Sequence, residues 1–309
     1  DGTAENRVDY LKGAGRINFD AGQETVFIVI PIVDDIKMEG LETFELNLTA
    51  AVVDPDIALE GSAILGEATN IGVTIIDDEM PGGVDPGFKL KGGANGPVFT
   101  ILVDQDERIL LGGDFTRVGG VNYGHISRLH PDGYVDSSFN VGTGLDDIVW
   151  SLGVQEDRKP VPGGRYENID GNPVVALGRL NADGLFDDTF GIDVGVDGEV
   201  FAVAVQPDGG IIIGGDFKKV ADVDAKNIAR LNPDGTLDPT FAVGSGADKS
   251  VRDIAIQDDG KLVVVGEFGV LSGAAFGKVA RLNPDGTADG EFTPGMGANG
   301  IVHSLGLQQ

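Results

Sequence analysis

Apolar positions in this chain come in short bursts separated by turn residues, and the bursts have the period of strands. Residues 200–205 read Val-Phe-Ala-Val-Ala-Val, and Gln206-Pro-Asp-Gly-Gly then turns the chain. Ile211-Ile-Ile-Gly-Gly-Asp-Phe217 predicts a buried second strand whose glycines permit close backbone approach. Asn227-Ile-Ala-Arg-Leu231 predicts a third strand, and Asn232-Pro-Asp-Gly235 a tight turn with proline setting one φ and glycine supplying a positive one. Residues 236–241 complete the unit as a short fourth strand. No stretch carries the heptads of a coiled coil.

This unit recurs. Arg-Leu-x-x-Asp-Gly begins at Arg128, Arg179, Arg230 and Arg281, a step of 51 residues. Phe139, Phe190, Phe241 and Phe292 keep the same step, with Phe88 one period upstream. So do Val98, Val149, Val200, Val251 and Val302, and the pairs Gly112-Gly113, Gly163-Gly164 and Gly214-Gly215, which become Val265-Gly266 in the fourth copy. Four strands in 51 residues, repeated without helices, describe β-propeller blades, with a β-solenoid as the alternative. Gln-x-Asp-Gly, an apolar strand, Gly-Gly-Asp-Phe and Ala-Arg-Leu-Asn-Pro-Asp-Gly-Thr-Leu-Asp-x-x-Phe together resemble the delta-sixty type propeller repeat of large bacterial proteins. The Gly pair also resembles kelch blades, whose other signatures are missing. The delta-sixty resemblance covers about residues 82–309 and implies extracellular structural or binding modules, with no catalytic residues.

Two features depart from the pattern. Pro160 and Pro162 stand where the other copies have Ile-Leu-Leu, Ile-Ile-Ile and Leu-Val-Val, so this strand is expected to be distorted or exposed. Residues 302–309 match only the first strand of a fifth copy, so a truncated ring of about four blades is expected, with the polypeptide continuing.

Before Met80 the period vanishes. Residues 25–33 predict a strand ending in Asp34-Asp35. Glu42-Thr-Phe-Glu-Leu-Asn-Leu-Thr49 alternates with Phe44, Leu46 and Leu48 on one face, and Ile71-Gly-Val-Thr-Ile-Ile76 runs into Asp77-Asp78-Glu79. If these strands run up, down and up, both acidic ends meet Glu39 and Glu42 at one tip. Clustered carboxylates repel without a counter-charge, and Lys37 is the only basic residue near them. Ca²⁺, which takes six to eight oxygen ligands, is the cation such a set suits. The alternative is acids that decorate solvated strand ends.

The same stretch resembles a Calx-β domain, an immunoglobulin-like sandwich. The matching pieces include Asp1-Gly-Thr-Ala, Ala21-Gly22, Val33-Asp-Asp35, Glu39-Gly-x-Glu-x-Phe44 and Val73-Thr-Ile-Ile-Asp-Asp-Glu79. The resemblance implies calcium ligands at Asp1, Asp34, Asp35, Glu39, Glu42, Asp77, Asp78 and Glu79, with the Lys37 carbonyl as a further donor. A complete domain of this family has roughly forty more residues before Asp1. The chain therefore reads either as a fragment of a longer polypeptide or as a subunit whose missing strands another subunit donates.

Composition fits this division. The chain has 50 acidic and 22 basic residues, a net −28, and no Cys. Of these, 17 acidic and 4 basic residues fall in residues 1–79. A surface so acidic argues against a nucleic-acid partner. Zero Cys removes disulfides and thiol nucleophiles, and no apolar run approaches the roughly 20 residues of a membrane span.

Catalytic constellations are missing. His125, His130 and His303 form no metal-spaced pair, and Gly244-Ser-Gly246 lacks a hydrolase elbow's context. Asp114, Asp216 and Glu267 recur once per repeat, replaced by Arg165 in the second, which points to structural pairing, with the recurrent arginines as partners. Trp150, with Phe99 and Phe201 at its equivalent positions, reads as packing.

The expected function is a non-enzymatic, calcium-binding extracellular structural or adhesion module of a large bacterial cell-surface or secreted protein. The alternatives are a propeller that binds surface glycans or other proteins through variable loops such as 116–124 and 218–226, a homo-oligomer or fibre completed by strand donation, and an accessory region of a secreted enzyme.

Overall fold

A computed structural model describes residues 30, 42–49, 70–75, 88, 92–191, 195–295 and 297–308. The chain divides into two compact units, Asp1–Pro86 and Gly87–Gln309. Among the described residues all regular structure is β, and no helix is long and apolar enough to cross a membrane.

In the first unit, β1 (Glu42–Asn47) pairs antiparallel with β2 (Asn70–Ile75), from Glu42 opposite Ile75 to Asn47 opposite Asn70. Phe44 is buried and packs with Ile30 and Val73. Alternation predicts Leu48 on the same face, but it lies just past the end of β1 and is exposed. The expected strand over residues 25–33 falls outside the described residues, apart from Ile30.

The second unit holds four repeats. The first contains β3 (Val98–Val103), β4 (Ile109–Gly113), the hairpin β5 (Arg117–Val118) and β6 (Val121–Asn122), and β7 (Ile126–Leu129). The second contains β8 (Val149–Val154), β9 (Pro160–Gly164), β10 (Asn168–Ile169) and β11 (Asn172–Pro173). The third runs β12 (Glu199–Val205), β13 (Ile211–Asp216), β14 (Lys219–Val220), β15 (Val223–Asp224) and β16 (Ile228–Leu231). The fourth runs β17 (Val251–Ile256), β18 (Leu262–Gly266), β19 (Val270–Leu271), β20 (Ala274–Ala275) and β21 (Val279–Leu282). In three repeats the sheet is three-stranded, in the orders β3-β4-β7, β12-β13-β16 and β17-β18-β21.

Local chemistry sets these elements. Between β12 and β13, Gln206 N–H donates to Gly210 O and Gly209 N–H to Gln206 O, with Gly209 at φ 84. This is a type I turn closed by a left-handed residue, with proline where its φ is already correct. Each first strand carries a register shift just after its first valine, at Val98/Thr100, Val149/Ser151, Val200/Ala202 and Val251/Asp253. Phe99, Trp150, Phe201 and Arg252 sit at these bulges.

The expected fourth strand shrinks to isolated bridges at Leu129↔Val135, Leu180↔Phe186, Leu231↔Leu237 and Leu282↔Ala288. Asp136, Asp187 and Asp238 each turn the chain there by accepting the backbone N–H two residues on, at 2.9, 3.0 and 2.8 Å. A local side-chain bond thus replaces the next ladder bond.

Pro160 and Pro162 also behave differently from expectation. β9 keeps its register with β8 from Val154↔Pro160 to Val149↔Gly164, and Pro160, Val161 and Pro162 are all buried. The distortion falls on the neighbour, because both ring nitrogens point to the edge where a third strand would pair. Along the prolines that edge retains only donation into them, from Leu180 N–H to Pro160 O at 2.8 Å and Gly178 N–H to Pro162 O at 3.4 Å, and the strand itself donates there only past them, from Gly164 N–H to Ala176 O at 2.8 Å. The second sheet is therefore two-stranded.

Successive repeats pack through the Gly pair. A Cβ on Gly112 would lie 2.7 Å from Val149 Cγ1 in the next repeat, and one on Gly163 would lie 2.7 Å from Val200 Cγ1. The second glycine of each pair lies against the backbone of its own first strand, Gly113 facing the Pro97 carbonyl and Gly215 the Glu199 carbonyl. Each repeat's first strand thereby seats over the second strand of the repeat before it.

Candidate functional site

Of the acids expected to ligate calcium, only Glu42 falls within the described residues, as the backbone that opens β1. Asp1, Asp34, Asp35, Glu39, Asp77, Asp78 and Glu79 lie outside them, as does Lys37. The Glu42↔Ile75 register sets the start of β1 beside the end of β2, two residues before Asp77 in the chain. That is the antiparallel arrangement the sequence requires for these ends to share a tip. The donor set consists of hard carboxylate oxygens, which fit Ca²⁺ rather than a thiophilic metal. Among the described residues there is no group of three or more His, Cys, Asp or Glu that could hold a metal ion.

The second unit's charged residues form a different device. Arg128 Nε donates to Asp136 Oδ2 at 2.9 Å, and Arg179, Arg230 and Arg281 repeat this with Asp187, Asp238 and Asp289 at 2.7, 2.6 and 2.7 Å. Each guanidinium stacks on the phenylalanine that closes its repeat, 4.6 to 5.1 Å from the ring centroid. Its outer nitrogen reaches across to the next repeat's turn, from Arg128 to Ala182 O, Arg179 to Pro233 O and Arg230 to Pro284 O at 2.7, 2.8 and 2.9 Å. One side chain thus ties strand, turn and neighbouring repeat together.

The carboxylates respond to this. Burial pushes the Asp136 carboxyl up, but the Ser138 hydroxyl and amide and the Arg128 guanidinium outweigh burial and hold it at about 2. Asp187 and Asp238 are lowered by the same balance, with Thr189 and Thr240 in the serine's place. Asp289, bonded first to Lys261 and then to the Glu291 amide and Arg281, stands at about 2.

The expected pairing of the recurrent arginines with Asp114, Asp216 and Glu267 is therefore corrected. Glu267 pairs with Arg252, Arg165 pairs with Asp147 at 2.9 Å, Asp114 faces His125 Nδ1 at 3.9 Å, and Asp216 is exposed. The arginines take the aspartate eight residues on because it lies across the turn from their own strand.

Trp150 packs between Phe99 and Phe201, at centroid distances of 4.6 and 6.0 Å, and its Nε1 donates to Glu199 at 3.0 Å. Arg252 continues the row, 4.2 Å above the Phe201 ring. His303 is exposed, and His130 Nε2 lies 3.7 Å from Asp136.

One feature of the third repeat escapes a motif search: a cavity of about 400 Å³ beside the β14–β15 hairpin. Its wall includes Ala225, whose counterparts one period away are Val174 and Phe276. The signal was a change of side-chain size at a repeat position, which a search for reactive residues passes over.

The comparisons with known proteins divide the chain in the same way. Residues 1–79 match the Calx-beta domain. Residues 105–139, 155–190, 206–241 and 257–292 match a β-propeller domain described as a domain of unknown function, DUF5122. Over 82 residues, 26% of this chain, it is 39% identical to adhesion G-protein coupled receptor V1 of Danio rerio, covering 1% of that protein. It is 34% identical over 82 residues to extracellular matrix organizing protein FRAS1 of Homo sapiens and of Mus musculus, covering 2% of each. Among solved structures, the WD40 beta propeller domain of Doa1 matches 55% of this chain and 48% of its own, with 16% identity and a TM-score of 0.38. The extracellular domain of a one component system from B. thetaiotaomicron matches 62% of this chain and 22% of its own, with 13% identity and a TM-score of 0.37. The chain joins a Calx-beta domain, residues 1–79, to four β-propeller repeats of the DUF5122 type between residues 105 and 292.

Proposed function

We propose that this chain is a non-enzymatic structural or adhesion module of a large extracellular or cell-surface protein, and that its Calx-beta domain binds calcium. The observation that carries this reading is the acid set of residues 1–79. Asp34-Asp35 and Asp77-Asp78-Glu79 follow predicted or described strands, Glu42 opens β1, and the β1–β2 register runs the two ends side by side. Asp1, Asp34, Asp35, Glu39, Glu42, Asp77, Asp78 and Glu79 would hold the ion, which supplies the counter-charge that lets these carboxylates ionise together. The extracellular setting draws its support from the names of the relatives that share the domain, an adhesion receptor and a matrix-organizing protein. The second unit's role in this reading is mechanical, as its recurrent arginines and their aspartates are spent on bonds within and between repeats.

The test is a calcium titration of the 309-residue chain followed by calorimetry. A ligand present at about 100 times its Kd stabilises the state that binds it by about 2.7 kcal/mol, so the melting temperature rises on adding calcium and falls back in EDTA. The double variant Asp77→Asn, Asp78→Asn loses that response while keeping the melting behaviour of the calcium-free parent. A melt that is the same in calcium and in EDTA overturns the calcium assignment.

A further inference from the structure

The repeats place Tyr123, Val174, Ala225 and Phe276 at one backbone position, just behind the short hairpin. In each case the amide donates back across the hairpin, from Tyr123 to Thr116 O, Val174 to Glu167 O, Ala225 to Lys218 O and Phe276 to Gly269 O, at 2.9, 3.0, 2.8 and 3.0 Å. The backbone is the same and only the side chain differs. The Tyr123 and Phe276 rings are each 8% exposed and belong to the cores of their repeats. In the third repeat a methyl group stands in the place of the ring, and there the cavity of about 400 Å³ opens.

The lining corresponds, repeat position by repeat position, to the Tyr123 core of the first repeat, which holds Ile126 and Phe139 with Val135 packed against it. Ile228, Leu237 and Phe241 supply apolar wall, and Asp238 supplies a carboxylate. Asp238 is the counterpart of Asp136; in the first repeat burial, and after it the charge of Asp136, pushes the Tyr123 phenol up. Asp238 Oδ1 already accepts both the amide and the hydroxyl of Thr240, while Oδ2 accepts only from Arg230 Nε and keeps a lone pair for another donor. Lys226, exposed, stands at the rim. An apolar void of about 150 Å³ is enough for a benzene ring, and small-molecule pockets begin near 300 Å³. The sister repeats place larger side chains, Tyr123, Val174 and Phe276, at the position where the third repeat leaves this space open.

We propose that this cavity binds an aromatic ring carrying a hydrogen-bond donor, a phenol above all, supplied from outside the chain. The ring takes the place that Tyr123 and Phe276 occupy in the first and fourth repeats, with its hydroxyl directed to Asp238. This assignment is independent of the calcium reading, and either can fail while the other stands.

The experiment titrates the intact 309-residue chain with p-cresol and, separately, with N-acetyl-tyrosine amide, following the methyl resonances of Ile228 and Leu237 by NMR. Saturable shifts of these methyls are expected, and they vanish in Ala225→Phe, which carries the side chain of Phe276 and melts no lower than the parent. Ala225→Val, the residue of the second repeat, weakens binding severalfold and serves if Ala225→Phe does not fold. Tighter binding of the tyrosine amide than of p-cresol identifies a polypeptide side chain as the source, and binding of p-cresol alone identifies a free small molecule. Absence of saturable shifts with both probes, or shifts that survive filling of the cavity, overturns the proposal.

Discussion

Single residues carry strain that the repeats make visible. The hairpin between β14 and β15 turns on Ala221 and Asp222, at φ 49 and 61, where the sister repeats have Gly119-Gly120, Asp170-Gly171 and Ser272-Gly273. A two-residue turn with both central φ positive is the type I′ turn, and it is the one turn here without glycine. A side chain in the left-handed region costs roughly 1–2 kcal/mol, so Asp222→Gly is expected to raise stability by about 1 kcal/mol. Urea unfolding reads this directly, and a midpoint that does not move upward refutes the account. A second left-handed position recurs at His125, Ala176, Asn227 and Lys278, with φ 64, 62, 65 and 81. Asn227 suits it best, since its side chain accepts from Phe217 N–H and donates to Ala247 O.

Between elements, close approach and the arginine tie decide how repeats join. Gly112→Ala sets a methyl 2.7 Å from both Thr100 Cγ2 and Val149 Cγ1, one in its own sheet and one in the next. Overpacking of this kind costs roughly 1–3 kcal/mol, and the loss is read from equilibrium unfolding. An unchanged midpoint would mean that the repeats are not seated on the glycines. Arg179 is buried, bonded to Asp187, Gln155 and Pro233 O, and stacked on Phe190. Arg179→Ala leaves Asp187 buried with Lys159 as its remaining cation, at 2.9 Å. Breaking a buried pair from one side costs roughly 3–5 kcal/mol. Arg179→Lys does not restore the loss, because an ammonium lacks the planar fork that bonds and stacks at once. Recovery of parental stability by the lysine variant would contradict this geometry.

At the scale of the whole molecule, pH and calcium test the two units separately. Asp136 and Asp289 stand at about 2, and Asp187 and Asp238 are also lowered. A carboxyl lowered in the folded state stabilises above its unfolded value near 4, and that contribution is lost as pH falls from about 4 to about 2. Thermal melts are therefore expected to hold steady above about pH 5 and to decline through that window, less steeply in Asp136→Asn. A flat profile there would show that the aspartates do not carry the joints. Much of this protein was legible in its sequence. The 51-residue period, the strand–turn alternation and the acidic ends of residues 1–79 depend on local rules, in which turn residues fix turns and alternation fixes faces. The pairing of Arg128 with Asp136 rather than Asp114 was not legible, since both carboxylates recur with the same step and only the folded turn brings one of them across. The effect of Pro160 and Pro162 was half legible: the missing donors are a property of the residue, but which neighbouring strand lacks them depends on which edge the nitrogens face. For the cavity beside Ala225 the sequence shows only the small residue at a repeat position, and the space itself belongs to the tertiary structure. The sequence alone determined a chain of repeats behind an acidic strand-rich domain, because those features are local. Which charges meet, which ladder breaks and where space is left were decided only by packing, because each depends on atoms far apart in the chain.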